Sequence, residues 1–165
     1  MLGAQNVGKS CFIKRIIHNQ FKVLNVCEYG VEVLHVKIKN SILFIYLSDF
    51  FGQEEWFSVR KDEVQNADGI ILIYDISDKE SFESSKYFYE YEIKNLCKKS
   101  IKKLLLGNKC DLKEKRVISR EQGLYFASEN NYKFKEISIC TNENVFEAFE
   151  EFILDIYNDL LNKKN

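Results

Sequence analysis

Apolar positions recur with two different periods along this chain, and the alternation of those periods sets the expected architecture. Over residues 9–20 the apolar side chains Phe12, Ile13, Ile16 and Ile17 return at helical spacing. Residues 31–39 (V-E-V-L-H-V-K-I-K) instead alternate with period two, the mark of a half-exposed strand. Residues 42–47 read as its neighbour, joined through Asn40 and Ser41 as a hairpin. Residues 69–74 (G-I-I-L-I-Y) form an unbroken apolar run that ends at Asp75, which predicts a strand covered on both faces. A briefer run follows at 101–106 and a weaker one at 134–139. Between the strands lie helical stretches at 58–67, 79–98 and 119–130. The last helix is the clearest, because Val145, Phe146, Phe149, Phe152, Ile153, Ile156, Tyr157 and Leu160 fall at steps of three and four. Strands alternating with helices predict an α/β fold: a mostly parallel central sheet, helices on both faces, right-handed crossovers. In such sheets ligands sit at the carboxyl ends of the strands, so the loops after the strands are where chemistry is sought.

Length and charge narrow the function. A chain of 165 residues without repeats, linkers or low-complexity blocks is expected to be one domain, 1–165. Lys plus Arg is 24 against Asp plus Glu 25, a net charge of -1, which argues against a protein that coats nucleic acid or an anionic membrane by charge alone. No apolar run approaches the ~18 residues of a spanning helix, and the first residues lack the layout of a signal peptide, so a cytoplasmic monomer is expected. The cysteines (Cys11, Cys27, Cys97, Cys110, Cys140) are odd in number, form no C-x-x-C pair and have only His18 and His35 for company. Reduced thiols are the expectation, with neither a disulfide framework nor a zinc site. Proline is absent, and threonine occurs once, at Thr141.

Gly3-Ala4-Gln5-Asn6-Val7-Gly8-Lys9-Ser10 fits G-x-x-x-x-G-K-[ST], the phosphate-binding loop. Its glycines let successive backbone N–H groups curl around phosphates, Lys9 reaches the terminal phosphates, and the Ser10 hydroxyl can ligate Mg²⁺ at a helix N-terminus. A glycine turn that merely caps a helix would spell similar letters, so the neighbouring motifs matter. Asp49-Phe50-Phe51-Gly52-Gln53 follows an apolar strand, placing a carboxylate where it can hold the metal, a glycine N–H where it can meet a γ-phosphate, and a glutamine to orient the attacking water. After the strand at 101–106 comes Gly107-Asn108-Lys109-Cys110-Asp111, where an acidic side chain can accept from the N1–H and 2-amino group of guanine; adenine lacks that pair of donors. Ile137-Ser138-Ile139-Cys140 closes a further strand and can add a backbone donor toward the base carbonyl oxygen.

These motifs, in this order, make the chain similar to the Ras superfamily of small GTPases and, within it, to the Rab branch. G-A-Q-N-V-G-K-S, D-F-F-G-Q-E, N-K-C-D and E-I-S-I-C-T-N-E-N-V carry the resemblance, which covers essentially the whole chain. Cys27-Glu28-Tyr29-Gly30-Val31, with the spacing from Gly52 to Gly69 around Val59 and Arg60, is more similar to the Rab-like group that often carries an appended J domain. The resemblance implies a P-loop NTPase fold that binds GTP or GDP with Mg²⁺ and hydrolyses GTP slowly in vesicle trafficking or signalling. It implies phosphate contacts from residues 3–10, Cys11 and Gly52, with Lys9 and Gln53 in catalysis and Ser10 and Asp49 at the metal. Phe21 would pack edge-on beside the guanine, Lys109 would line it, Asn108 and Asp111 would hold it, and Ser138, Ile139 and Cys140 would close the base site. Effectors, an exchange factor and a GTPase-activating protein are the partners it implies, the last supplying an arginine.

Several positions depart from that pattern. The family's first switch segment supplies a Thr that ligates Mg²⁺ and meets the γ-phosphate. Between Ser10 and Ser41 this chain has neither Ser nor Thr. Residues 21–29 are also shorter than the family pattern; Leu24 or Glu28 falls nearest the missing Thr, and Glu28 is either a metal ligand or a solvated loop acid. Met1 and Leu2 leave no room for the central strand that precedes the phosphate loop in the family. Losing it costs of order several kcal/mol against a total stability of ~5–15, so either an upstream segment is cut away or nucleotide binding is weakened. Gln5 and Asn6 are bulkier than glycine beside the γ-phosphate, and Ile139 and Cys140 stand where the family has a small residue and a Lys. The chain ends Asn162-Lys163-Lys164-Asn165 without the cysteine of a prenyl anchor, so attachment to endomembranes is expected only through partners or a missing tail. The missing Thr keeps a second expectation open, a nucleotide-binding scaffold that recruits partners without cycling. A P-loop kinase of small molecules is disfavoured by the guanine tetrad. Trp56, Phe57 and the run Tyr87, Phe88, Tyr89 and Tyr91 are either a partner surface or core.

Overall fold

The computed structural model describes residues 1–19, 30–38, 41–49, 57–96 and 101–164. The order of elements is α1 (Lys9–His18), β1 (Gly30–Ile38), β2 (Ser41–Asp49), α2 (Phe57–Asn66), β3 (Gly69–Asp75), α3 (Lys79–Phe88), a π-helical turn Tyr89–Ile93, α4 (Lys94–Leu96), β4 (Lys102–Asn108), a 3-10 turn Lys113–Lys115, α5 (Arg120–Glu129), β5 (Lys133–Glu136) and α6 (Val145–Lys164). β3, β4 and β5 pair in parallel in that order, while β1 and β2 form an antiparallel ribbon from Gly30↔Asp49 to Ile38↔Ser41. The mixed α/β architecture agrees with the alternating periods of the sequence.

The unbroken apolar runs become strands whose two faces pack into two different cores. On one face Ile70, Leu72, Tyr74 and Leu105 pack with Phe82, Phe88 and Ala127. On the other, Ile71, Ile73, Leu104 and Leu106 pack with Phe12 and Ile16 of α1 and with Phe149, Phe152 and Ile153 of α6. Parallel pairing keeps Ile71 opposite Leu104 and Leu72 opposite Leu105, so each face stays apolar across both strands. Local signals set the helix starts: the Asp78 side chain accepts from the Glu80 N–H at 2.9 Å, and Ser119 and Gln122 make a reciprocal capping box.

Three expectations need correction. The helix anticipated over 79–98 is not uniform, because a π turn inserts one extra residue and the Lys94 N–H donates back to the Tyr89 carbonyl. Phe88 and Ile93, five residues apart, thereby bury on the same side, at 5% and 1% exposure. The aromatic run divides accordingly: Phe88 is core, Tyr89 meets Phe126 and Tyr132 edge-on, and Tyr87 and Tyr91 lie exposed against each other with ring centroids 4.5 Å apart. The strand anticipated over 134–139 stops at Glu136. Ser138 and Glu143 there exchange both N–H···O bonds at 3.0 Å, closing a tight loop whose Asn142 and Asn144 take positive φ.

The third correction concerns the central strand. It is not wholly lost: Leu2 forms one parallel rung beside Leu72, its N–H donating to the Ile71 carbonyl (2.8 Å) and its carbonyl accepting from Ile73 (3.0 Å). On the other side the Met1 amino group donates to the Ser48 carbonyl of β2 at 2.7 Å. Burial pushes that amino group down to about 6, against the opposing pull of Asp49. Beyond this rung β2 and β3 do not pair with each other, and a slot of about 420 Å³ opens between them, floored by Phe12, Phe149 and Phe152 and walled by Leu43, Ile45 and Ile70. Strand alternation turns the peptides of Gly69 and Ile71 toward this slot, where a residue two places ahead of Leu2 would bond both.

An added segment of about five extended apolar residues ahead of Met1 is therefore expected to raise thermal stability. A gain of even 1 kcal/mol moves the midpoint by about 2–4 °C in a chain of this size. Calorimetry checks it: a melting temperature that does not rise removes the strand-acceptor reading of the slot, and a proline at the bonding position should cancel the gain.

Candidate functional site

The loop between the Leu2 rung and α1 owes its shape to two glycines. Gly3 has φ 152°, and a Cβ there would stand 2.3 Å from the Ile73 carbonyl oxygen. Gly8 has φ 107°, and its Cβ would stand 2.6 Å from the Asn108 side-chain nitrogen. No other residue type meets both demands at these positions. Asn6 adds a left-handed turn at φ 63° between them, and Val7 anchors the loop by burying its side chain in the core at 1% exposure. Ala4, Gln5 and Asn6 form the rim. The Lys9 side chain folds back under the loop and donates to the carbonyls of Gly3 (3.0 Å) and Ala4 (2.7 Å). Cys11, one residue past Ser10, is a half-buried free thiol.

A carboxylate meets this loop from the end of β2. The Ser10 hydroxyl donates to Oδ2 of Asp49, which is buried at 8% exposure. The other oxygen, Oδ1, is also buried and has no hydrogen-bond partner among the described residues. Leaving such an atom unsatisfied costs ~1–3 kcal/mol, more for a charged group. A hydroxyl beside a carboxylate oxygen with unused capacity suits a hard cation that takes oxygen ligands and fills its other positions with water and phosphate, as Mg²⁺ does. No group of three His, Cys, Asp or Glu side chains stands together among the described residues, so a cage made only of protein side chains is not offered.

The base loops converge on the same place from β4 and β5. Asn108 ends β4, buried at 3% exposure; its Nδ2 donates to the Val7 carbonyl at 2.8 Å and its Oδ1 accepts from the Ile139 N–H at 3.2 Å. One amide thus joins the phosphate loop to the loop after β5. Lys109 takes positive φ (66°) and sends its ammonium to Asp75 at the end of β3, 2.6 Å away. Asp111 accepts from the Ser138 hydroxyl at 2.6 Å, and that hydroxyl accepts in turn from the Thr141 N–H at 3.1 Å. Arg116 and Glu136 form a two-pronged ion pair (2.6 and 2.9 Å) that ties the segment after the 3-10 turn to the end of β5. Cys110 faces inward, and burial followed by the nearby Glu143 pushes its thiol up to about 11, so it stays protonated and inert near neutral pH. Cys140 is exposed.

The structure therefore gathers Gly3, Gly8, Lys9, Ser10, Asp49, Asn108, Lys109, Asp111, Ser138 and Ile139 at the carboxyl ends of the parallel strands, as expected for this fold class. Phe21, Leu24, Glu28, Gly52, Gln53 and Trp56 lie outside the described residues. Sequence reasoning missed two groups. Asp75, noted only as the end of an apolar run, restrains Lys109 and accepts from the Ser77 N–H (2.8 Å) and hydroxyl (2.6 Å). Arg15 interrupts the apolar face of α1 and donates to the Ile139 carbonyl at 3.2 and 2.9 Å. Its signal was a cation set one helical step after Phe12, where a solvated face would place it elsewhere.

Comparison with known proteins agrees with this geometry. The Ras family model matches residues 1–158. Ras-related protein Rab-13 of Rattus norvegicus is 34% identical over 158 residues, covering 94% of this chain and 77% of that protein. GTP-binding protein ypt2 of Schizosaccharomyces pombe is 30% identical over 167 aligned positions, covering 100% of this chain and 83% of its own length. Ras-related protein Rab-15 of Homo sapiens is 32% identical over 151 residues, covering 90% and 71% respectively. With phosphate loop, carboxylate and base tetrad assembled on the strand ends the fold dictates, the chain belongs to the Ras family, as a Rab-like small GTPase.

Proposed function

We propose that the protein is a Rab-type guanine-nucleotide switch that binds GTP and GDP with Mg²⁺ and hydrolyses GTP slowly in vesicle trafficking. The observation that carries this reading is the Asn108 amide, which holds the phosphate loop and the base loop in one register through Val7 and Ile139. That link supports a phosphate site and a purine site lying side by side at the strand ends. Asp111 stands beside Ser138 with carboxylate capacity for the N1–H and 2-amino donors of guanine. Phosphate entering the loop supplies new acceptors for Lys9, whose ammonium otherwise rests on the Gly3 and Ala4 carbonyls. Ser10 and Asp49 would hold Mg²⁺, which supplies neutralisation of the phosphate charge. Gln53 orients the attacking water and Gly52 meets the γ-phosphate, with an arginine from a GTPase-activating protein completing the site; slow hydrolysis is the expectation for the chain alone. Effectors and an exchange factor are its other partners, and its place is cytoplasmic, peripheral on endomembranes through them. Among the described residues no helix is long and apolar enough to cross a membrane.

A second reading follows from one specific observation. The stretch between Ser10 and Ser41 contains neither Ser nor Thr, the residue types whose hydroxyl would sense the metal and the γ-phosphate together. A scaffold that binds nucleotide without changing state would look the same at the loops described above.

Titration with GDP and with a non-hydrolysable GTP analogue, each with and without Mg²⁺, separates the two. The switch reading expects affinity to fall by roughly tenfold or more without the metal, and Ser10→Ala to lose most of that dependence. A protein indifferent to metal and to the γ-phosphate is the scaffold.

Two substitutions test the remaining roles. Asp111→Asn exchanges an acceptor pair for an acceptor and a donor, which matches xanthine and not guanine. Preference for GDP over XDP should reverse, with GDP weakened by roughly a hundredfold, the scale of an unpaired buried polar contact at a base. Competition binding reads it, and unchanged GDP affinity would remove Asp111 from the base site. For Gln53→Leu, single-turnover hydrolysis should slow by at least about tenfold; a rate equal to the parent's would take Gln53 out of the mechanism.

A further inference from the structure

Next to the base loop, and outside the groups assigned so far, stands one buried cation. Arg15 lies on the inner side of α1 at 9% exposure. Its Nε and Nη2 donate to the Ile139 carbonyl at 3.2 and 2.9 Å, Nη2 donates also to the Cys140 carbonyl at 3.3 Å, and Nη1 reaches the Asn19 carbonyl at 3.3 Å. Two successive carbonyls of the base loop are therefore turned toward α1.

Peptide planarity makes that orientation informative. A trans peptide points the C=O of one residue and the N–H of the next in opposite directions. With the Cys140 carbonyl facing Arg15, the Thr141 N–H must point away from α1, and it does, donating to the Ser138 hydroxyl that bonds Asp111. By the same rule the Ile139 carbonyl sends the Cys140 N–H away from α1, to the side where Asp111 stands. No described residue accepts that N–H. A guanine whose N1–H and 2-amino group face Asp111 carries its C6 oxygen on the adjoining edge of the same ring.

We propose that Arg15 is a positioning residue for guanine: by holding the Ile139 and Cys140 carbonyls it aims the Cys140 N–H at the C6 oxygen and so prolongs retention of guanine nucleotide. The inference rests on the guanine-binding reading above and adds to it a link from the helix that begins at the phosphate loop. Lysine cannot substitute fully, because a point charge lacks the planar fork that spans two carbonyls.

The test compares dissociation of GDP with that of 6-thio-GDP, which keeps the N1–H and 2-amino donors but presents sulfur, a weak acceptor, at C6. On the parent protein 6-thio-GDP should leave faster than GDP. Arg15→Met should speed GDP release by roughly tenfold, the worth of one hydrogen bond, and barely change release of 6-thio-GDP. Arg15→Lys should give the same selective loss at smaller size, and it serves in place of Arg15→Met should that variant not fold. Equal acceleration of both nucleotides overturns the proposal, since loosening α1 would not distinguish oxygen from sulfur; so does GDP release unchanged from the parent. A parent chain that binds no GDP overturns the guanine reading itself, whereas GDP binding with an indifferent Arg15 overturns only this inference.

Discussion

Everything at the nucleotide end of this molecule hangs on a single side-chain amide. Asn108 donates to Val7 of the phosphate loop and accepts from Ile139 of the base loop, both inside the core. Because one amide serves both, the spacing between these two loops is set by one side chain's length. The neighbouring requirements follow. Residue 8 can carry no Cβ, since Asn108 occupies that space. Ile139 must keep its N–H turned toward Asn108, while its carbonyl accepts from Arg15 of α1. Asn108 itself is held by β4, the middle strand of the parallel sheet. A buried network of this kind rigidifies only while every member is satisfied.

The sheet supplies the platform by being apolar on both faces. Packing α1 and α6 on one side and α3 and α5 on the other leaves the strand ends as the place where polar groups such as Asp75, Asn108 and Ser138 gather and bond one another's loops. The ribbon of β1 and β2 relates to this platform differently. Its inner residues Leu43, Ile45 and Leu47 pack against the α1 and α6 core, yet among the described residues the one main-chain link to the parallel sheet runs through Met1 and Leu2. Asp49, the carboxylate suited to a cation, sits at the end of this ribbon. The Ser10–Asp49 pair therefore depends on side-chain packing for its place, whereas Asn108 and Lys109 depend on a hydrogen-bonded sheet.

Much of this was legible in the residues. Parallel strands buried on both faces spell themselves as unbroken apolar runs, so 69–75 and 102–108 were found nearly to the residue. The loops could be placed because close backbone approach demands particular residues, with glycine at 3 and 8 where a Cβ would collide with Ile73 and Asn108. The misses share a physical origin. The π turn after α3 depends on which residues the opposing core can accept, and a 3.6-residue period carries no trace of that. The early end of β5 follows from the Ser138–Glu143 pairing, a contact between polar residues with no periodic signal. Arg15 was passed over because a cation among apolar helix positions says only that it is buried, while the carbonyls that receive it lie 124 residues away in sequence.

Beneath the site lies the Tyr74 ring, fully buried, its hydroxyl without a hydrogen-bond partner among the described residues and its ionisation pushed up by that burial. A Cβ on Gly107 would stand 2.8 Å from this hydroxyl oxygen, and one on Gly123 2.4 Å. The same oxygen presses on two glycines of different elements, but the Phe134 ring closes 123 as well, at 2.7 and 2.8 Å from that Cβ. Loss of the hydroxyl therefore eases the nearest contact at 107, while 123 stays closed until residue 134 is smaller too. Substitutions at the two glycines are thus tied to different neighbours: 107 waits on position 74, and 123 waits on 74 and 134 together.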